Sequence, residues 1–310
     1  MIVTVTPNPC VDKTVFVDHL TPGEFIRSEK CTCIPGGKGT NVSRAVKALG
    51  CDTKAVLVVG GHPGAHVVDM VRNQDRVECV PAWVASQTRT ITTVLEQPIH
   101  RQTAFFEPGS RVTQTEARAF VDGFSSMIDG ARVVSFNGTV SDRGISWLYR
   151  ELIPIAKAAG VVCLLDSHGP EFALGLEAVP YMVKPNVSET EELLGRKLET
   201  MESRWDAIDR FHEKGVELVV LSMGKHGALV SSRAGRFHAI PPEIEEVNPV
   251  GSGDALLAGF AVGLLEGIPM DDAARLAIAA GTANAMSWDI GHFTKREVDD
   301  LLTRVEIREA

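Results

Sequence analysis

The sequence has no Cys-x-x-Cys pair, no basic leader, no apolar run long enough to cross a bilayer and no surplus of positive charge. Each absence removes a class of protein. Cys10, Cys31, Cys33, Cys51, Cys79 and Cys163 are scattered. Cys31 and Cys33 would share one side of a strand, with no second pair to complete a zinc site, so the cysteines read as reduced structural thiols. His62 and His66 could share a helix face, but Pro63, Gly64 and the lack of a third ligand favour a loop. The opening stretch MIVTVTPNPC has no basic n-region and meets a proline early, so no signal peptide is expected. The longest uncharged apolar run, Ala255 to Leu265, is too short for a membrane span. A soluble cytoplasmic protein without a membrane partner is expected. The formal net charge of −9 argues against a role in coating nucleic acid. An anionic small substrate stays open, because a few lysines and arginines can reverse the field inside a cleft.

Familiar catalytic signatures are missing too. Lys38 is followed by Gly39, and Thr32 stands where a Walker A loop needs its first glycine. No Gly-x-Gly-x-x-Gly follows the first strand, which leaves a dinucleotide site unsupported. Neither a Gly-x-Ser-x-Gly elbow nor a His-Glu-x-x-His zinc helix occurs.

What is present reads as α/β. With 44% hydrophobic and 23% charged residues over 310 positions, the chain has a globular composition and a sizeable core. Buried strands are expected at Ile2–Thr6, Thr53–Val59, Arg132–Phe136, Val161–Asp166, Tyr181–Lys184 and Glu217–Ser222. Helices are expected at Asn41–Leu49, Gln114–Met127, Gly144–Ala159, Glu189–Leu194 and Asp206–Glu213, with Gly50, Gly160 and Gly215 as stops. Thr113/Glu116 and Ser188/Glu191 have capping-box spacing. The alternation specifies a mostly parallel sheet covered by helices on both faces, in one domain over 1–310 that closes with three helices. Two stretches break it. Lys13–Cys33 and Arg89–Glu107 alternate with period two and read as hairpins, together a small sheet whose half-apolar face needs cover.

Three glycine-rich turns carry the candidate chemistry. In NPVGSGD, Asp254 follows Gly251, Ser252 and Gly253 at the mouth of an apolar helix. It is either an N-cap or a proton acceptor beside amides that receive an anion, and those residues alone favour the cap. In PGGKGTN, three glycines exceed what one cap requires, and Lys38 lies on the wrong side of the helix dipole unless something anionic meets it. In KPNVSE, Asn186 and Glu189 suit either an acidic first turn or water around Mg²⁺. SMGKHG is a hairpin alone and a nucleotide cradle beside one.

Together with TPNPCVD, Arg89 in TRT and FEPG, these segments occur in order from near the start to residue 254. The sequence resembles the PfkB (ribokinase-like) carbohydrate kinases over essentially its whole length, and most closely their 1-phosphofructokinase and tagatose-6-phosphate kinase branch. The resemblance implies a ribokinase-like three-layer α/β/α sandwich with a small β-sheet lid that serves as a homodimer interface. It implies ATP with Mg²⁺ and a hexose phosphate acceptor, with a free sugar or nucleoside, or a non-catalytic sensor, as alternatives. Asp254 would be the catalytic base, with Gly251, Ser252 and Gly253 as the anion hole. Asp12, Gly37, Lys38 and Asn41 would hold the sugar, with Arg89 and Arg27 near its phosphate. Lys184, Asn186 and Glu189 would serve nucleotide phosphates and hydrated Mg²⁺. Ser222, Gly224 and Gly227 would line the ATP loop, with Asn284 near the adenine. Two departures stand out. Asn248-Pro249 replaces the Asp-Thr of many relatives, and FNGTVSDRG (Phe136–Gly144) replaces a Gly-Ser-Leu-Pro-Pro-Gly loop near the acceptor, so Asp142 and Arg143 stand where prolines are expected. The second leaves open which hexose phosphate is used.

Overall fold

The computed structural model describes residues 1–28 and 30–310. The first half runs β1 (Ile2–Thr6), β2 (Cys10–Val17), β3 (Lys30–Gly36), α1 (Lys38–Ala48), β4 (Thr53–Val59), α2 (Gly61–Asn73), β5 (Glu78–Trp83), β6 (Arg89–Glu96), β7 (Arg101–Phe106), α3 (Gln114–Met127) and β8 (Val133–Asn137). The second runs α4 (Leu148–Ala158), β9 (Val162–Asp166), α5 (Gly169–Glu177), β10 (Met182–Val183), α6 (Val187–Leu194), α7 (Met201–Glu213), β11 (Leu218–Ser222), β12 (Ala228–Ser232), β13 (Gly235–Ile240), α8 (Ser252–Glu266), α9 (Met270–Ala285), α10 (Lys295–Leu302) and β14 (Glu306–Glu309).

Ten strands form one sheet in the order β14-β13-β12-β11-β10-β9-β8-β1-β4-β5, parallel from β5 to β11 and antiparallel beyond. Successive strand side chains point to opposite faces. Ile2, Val133 and Leu164 therefore pack under α1, α8, α9 and α10, while Val3, Val134 and Leu165 pack under α3, α4, α5 and α7. This is the ribokinase-like α/β arrangement with its helical layers on both faces. The chain leaves β1 for β4 on one side and returns to β8 on the other. Beside β1 the strand order reverses, and the carboxyl ends of such strands open a crevice for ligands.

α8 is buried on all sides from Asp254 to Gly263, and it lies so close to α9 that a Cβ on Gly259 would come 2.4 Å from Ala277 Cα. A charge does not enter such a helix without a partner or a task.

The two hairpins form the second sheet, in the order β3-β2-β6-β7. β2 and β6 run parallel and join the hairpins, with Cys10 opposite Arg89 and Asp12 opposite Ile91. At the far end of the lid, the buried Glu96 accepts from Arg101 and from the Leu20 amide at 3.0 Å.

Several expectations shift. α1 begins at Lys38 rather than Asn41, α6 at Val187 and α7 at Met201, while the stretch before α4 is a separate short turn over Arg143–Ile145. The capping box of α6 is Asn186/Glu189, not Ser188/Glu191, because Asn186 already caps the helix one residue before its first turn. Glu191 instead accepts from Leu198 N at 2.8 Å. His62 and His66 lie on α2, not in a loop; Pro63 falls in the first turn, where its missing N–H costs nothing. Both are exposed, and among the described residues no metal-binding cluster of His, Cys, Asp or Glu occurs. The chain ends in β14 after its three helices. No helix among the described residues is long and apolar enough to cross a membrane, and all six cysteines are free.

Candidate active site

One cleft of ≈ 1570 Å³ runs along the carboxyl ends of the parallel strands and under the lid. The lid contributes alternate residues of its strands, among them Asp12, Thr14, Ile34, Arg89, Ile91 and Phe106. The body contributes Gly37, Lys38, Asn41, Asp166, Lys184, Asn186, Glu189, Ser222, Gly224, Gly227 and Gly251 to Asp254. The expected sugar, phosphoryl and nucleotide residues thus share one cavity, with two exceptions. Arg27 is exposed in the connection between β2 and β3 and does not line the cleft. Asn284 is 1% exposed and lies behind the wall.

The turn into α8 needs glycine for a stated reason. Gly251 is the N-cap at φ 82°, and a Cβ there would sit 2.3 Å from Ile290 Cγ2. Asn284 builds this turn from behind: it donates to Val250 O at 2.8 Å and Ser252 Oγ at 3.1 Å, and accepts from Gly291 N at 2.7 Å. Asn248 shapes the approach by accepting from Val250 N at 3.1 Å while donating to Trp288 O at 2.9 Å. An ionised Asp could not make the second bond. Among the described residues, the amides of Gly251 and Gly253 have no acceptor within the chain, at the positive end of a helix dipole. A side chain on Gly253 would meet Lys184 Nζ at 3.4 Å, so that ammonium lies close to the start of α8.

Asp254 does not cap the helix. It occupies the first turn, 6% exposed, and accepts from Asn41 Nδ2 at 2.8 Å. The group beside it was not singled out from sequence. Asp166, 0% exposed at the carboxyl end of β9, lies 3.2 Å from Lys38 Nζ through one oxygen and 3.2 Å from Lys184 Nζ through the other. Lys38 also approaches Glu189 Oε1 at 3.7 Å. Burial alone would push Asp166 up, but the two lysines outweigh it and hold the carboxylate below its usual range. Burial likewise opposes the charge on Lys38, yet Asp166, Asp254 and Glu189 hold the ammonium above its ordinary value. Asp254 ends differently. Burial, opposed by Lys38 and reinforced by Asp166, pushes it up to about 6. Two neighbouring carboxylates are driven apart, one locked as an anion and the other poised to take a proton near neutrality.

On the lid side, Arg89 forms no pair with Glu96 or Glu107, and its buried Nε has no partner. Glu96 is taken by Arg101, and Glu107 accepts from Thr90 N at 2.7 Å. Asp12 lies two residues along β2 from Cys10, the partner of Arg89; burial pushes it up, with Arg44 acting against the rise. At the lid tip the His100 ring lies 6.4 Å from that of Trp288, a residue of the opposite wall. The lid therefore reaches from the Arg89 end of the cleft to its opposite wall.

At the nucleotide end, Asn186 Oδ1 accepts from Glu189 N and Glu189 Oε2 accepts from Asn186 N, at 2.8 and 2.9 Å. Glu189 Oε1 is left to face the cleft. A hydrated Mg²⁺ fits this donor set, because the ion keeps most of its waters and prefers one or two hard oxygen groups to an all-protein cage.

A pfkB family carbohydrate kinase model matches residues 5–287. The chain belongs to that family. A 1-phosphofructokinase of Bacillus subtilis (strain 168) is 32% identical over 99% of both chains. Among solved structures, a putative phosphofructokinase from Staphylococcus aureus has 26% identity and a TM-score of 0.85, covering 100% of this chain and 99% of that one. The tetrameric inhibited form of phosphofructokinase-2 from Escherichia coli has a TM-score of 0.90 at 24% identity over 98% of each chain, which establishes the fold. The glycine turn and its carboxylate lie within the matched residues.

The raised Asp254 carries a prediction for stability. A carboxyl whose folded-state value exceeds its unfolded value contributes stability below the unfolded value, and that contribution is lost as pH rises through the folded one. Relative to the wild type, Asp254→Asn should therefore gain stability as pH rises from about 4 to about 6 and level off above, by an amount of the order of 2–3 kcal/mol. Urea unfolding of both proteins across that range checks this; a difference independent of pH would show that Asp254 titrates normally.

Proposed function

We propose that the chain transfers the γ-phosphoryl group of ATP to a hydroxyl of a phosphorylated hexose, giving a hexose bisphosphate. The observation that carries this reading is the pairing of Asp254 with the free amides of the turn before it, in the same cleft as Arg89. A proton acceptor, an anion hole and a separate cation for a second phosphate stand along one channel. The 1-phosphofructokinase of Bacillus subtilis at 32% identity supports the acceptor class.

The steps follow from the residues. Asp12 and Asn41 orient the sugar hydroxyls, and Asp254 accepts the proton of the hydroxyl whose oxygen attacks the γ-phosphorus. As the phosphoryl group moves, its oxygens meet the amides of Gly251 and Gly253 and the ammonium groups of Lys38 and Lys184, while the Ser252 amide, expected to join them, is held by Pro249 O at 3.2 Å. Ser222, Gly224 and Gly227 border the nucleotide, whose phosphates approach from the side of Asn186 and Glu189. Mg²⁺, held through water by those two residues, supplies charge neutralisation at the phosphates when bound.

Lys38 moves within the reading. It sits among Asp166, Asp254 and Glu189 rather than against the lid, so its charge serves the transferring group. The phosphate already on the acceptor falls to Arg89, the lid cation that faces the cleft among the described residues. A second copy of the chain is proposed to cover the lid's outer side, where Phe105 is 58% exposed, with the exposed Phe25 in the connection between β2 and β3.

Asp254→Asn should lower kcat by roughly 10²–10⁴ while leaving the fold and ATP binding in place, the usual worth of a positioned base. Steady-state kinetics and a nucleotide titration check it, and unchanged turnover would end the assignment. Fructose 1-phosphate, fructose 6-phosphate and tagatose 6-phosphate should be preferred to free hexoses and nucleosides. Arg89→Ala should raise KM for the best of them by roughly 10- to 150-fold, the value of one hydrogen bond to a charged group, with KM for ATP nearly unchanged. An ATP-consumption assay over that panel decides it; equal kcat/KM for phosphorylated and free hexoses would instead favour a free-sugar kinase. Light scattering at micromolar concentration should give the mass of a dimer or larger assembly, and a fully active monomer would leave the lid without its proposed partner.

A further inference from the structure

Arg44 lies on α1, 5% exposed, and does not reach the cleft. Its guanidinium nevertheless touches four segments at once. Nε and one terminal nitrogen donate to the Asp75 carboxylate, both at 2.9 Å, and the same terminal nitrogen donates to Pro35 O at 2.7 Å. The other terminal nitrogen donates to Ile290 O at 3.0 Å and to Asn41 Oδ1 at 3.3 Å. Pro35 leads into the Gly37 turn, and the Ile290 side chain is the wall that requires glycine at 251.

The bond to Asn41 has a directional consequence. A guanidinium has donors and no acceptor, so it faces the oxygen of an amide and never its nitrogen. With Oδ1 turned toward Arg44, the Asn41 nitrogen is left pointing at Asp254, to which it donates at 2.8 Å. Donation of this kind favours the ionised carboxylate, the form a base must have. Without Arg44 the amide is free to turn over and offer its oxygen, which only a protonated Asp254 can meet.

We propose that Arg44 is a positioning residue: clamped by Asp75, it fixes the Asn41 amide with its nitrogen toward Asp254 and thereby keeps that carboxylate ionised and aimed. The inference rests on the reading of Asp254 as the base. The charged groups around Asp254 are Lys38 and Lys184 as cations and Asp166 as an anion, and Arg44 itself faces Asp75 and bears on Asp12.

The test replaces the buried pair together. Arg44→Met with Asp75→Leu removes both charges, leaves the net charge unchanged and spares the fold an unpaired buried carboxylate. At saturating substrates the acid limb of the kcat–pH profile should move up by about one pH unit, the order expected when one charge-assisted hydrogen bond to a carboxylate is lost. KM for ATP should stay within about twofold, because additivity leaves distant sites untouched. In an Asn41→Ala background the same pair replacement should move the limb no further. A limb that stays in place, or moves equally with and without Asn41, overturns the proposal. Should the double replacement fold poorly, Arg44→Lys keeps the charge but cannot span the four acceptors, and its limb should move in the same direction; an unmoved limb there counts against the proposal equally. The outcomes separate from those of the parent reading. An active Asp254→Asn removes the base, whereas an inactive Asp254→Asn with an unmoved limb in the Arg44 variants removes only the positioning role.

Discussion

The site depends on one buried anion. Asp166 has no exposure to solvent, and an isolated carboxylate in such surroundings carries a desolvation penalty of several kcal/mol. Lys184, just beyond the end of β10, and Lys38, from the first turn of α1, bring two cations to it. That arrangement draws together two segments far apart in sequence and fixes where both ammonium groups stand. It also explains a lysine in the first turn of a helix, where the dipole disfavours it: the carboxylate in front of Lys38 outweighs the dipole behind it. Burial then raises Asp254, and the charge of Asp166 beside it adds to the rise against the two lysines.

The backbone makes that cluster possible. Asp166 and Lys184 stand at the carboxyl ends of parallel strands and Lys38 follows the glycine turn after β3, while Asp254 arrives by the connection from β13 to α8. In a parallel sheet those ends lie side by side at the spacing of neighbouring strands, under 5 Å. Short side chains from adjacent strands therefore reach one another without long loops. The glycines extend the same logic to the backbone. At Gly251 the chain turns with positive φ against Ile290, so amides rather than side chains face the cleft. Lys184 stands close to that turn, and under the proposed reading a phosphoryl group entering there meets donors that need no reorganisation.

Much of this was legible in the sequence because it was local. The Gly-x-Gly-Asp turn, the three glycines around Lys38 and the period-two hairpins announce their geometry within a few residues. What stayed hidden was long-range. Asp166 ends an apolar strand and looks like a strand terminus until Lys38 and Lys184 arrive from elsewhere. Arg44 looks like a surface residue of an amphipathic helix, yet Asp75, Pro35 and Ile290 enclose it. Asn284, expected near the adenine by resemblance, holds the Gly251 turn from behind. Edge elements were obscure for a different reason. β5 carries Pro81, which an outer strand tolerates, and β14 is too polar to show an apolar period. The α6 cap was misplaced because Ser188/Glu191 and Asn186/Glu189 carry the same spacing, and only the backbone chooses between them.

The lid closes the reasoning about water. Under the proposed reading, a base poised near neutrality beside an activated phosphoryl group would serve a water molecule as readily as a sugar hydroxyl, so the cleft must be dry when it is charged. The second sheet supplies that roof, and its tip reaches Trp288 on the far wall. A two-sided sheet that buries one face over a ligand has to leave the other outward, and here that side carries Phe105. Phe106, which lines the cleft, and Phe105, which under the proposed reading calls for a second copy of the chain, are thus neighbouring positions on one strand. Under the proposed reading, acceptor binding and subunit association draw on one element, so a substitution that stiffens or loosens the lid acts on both.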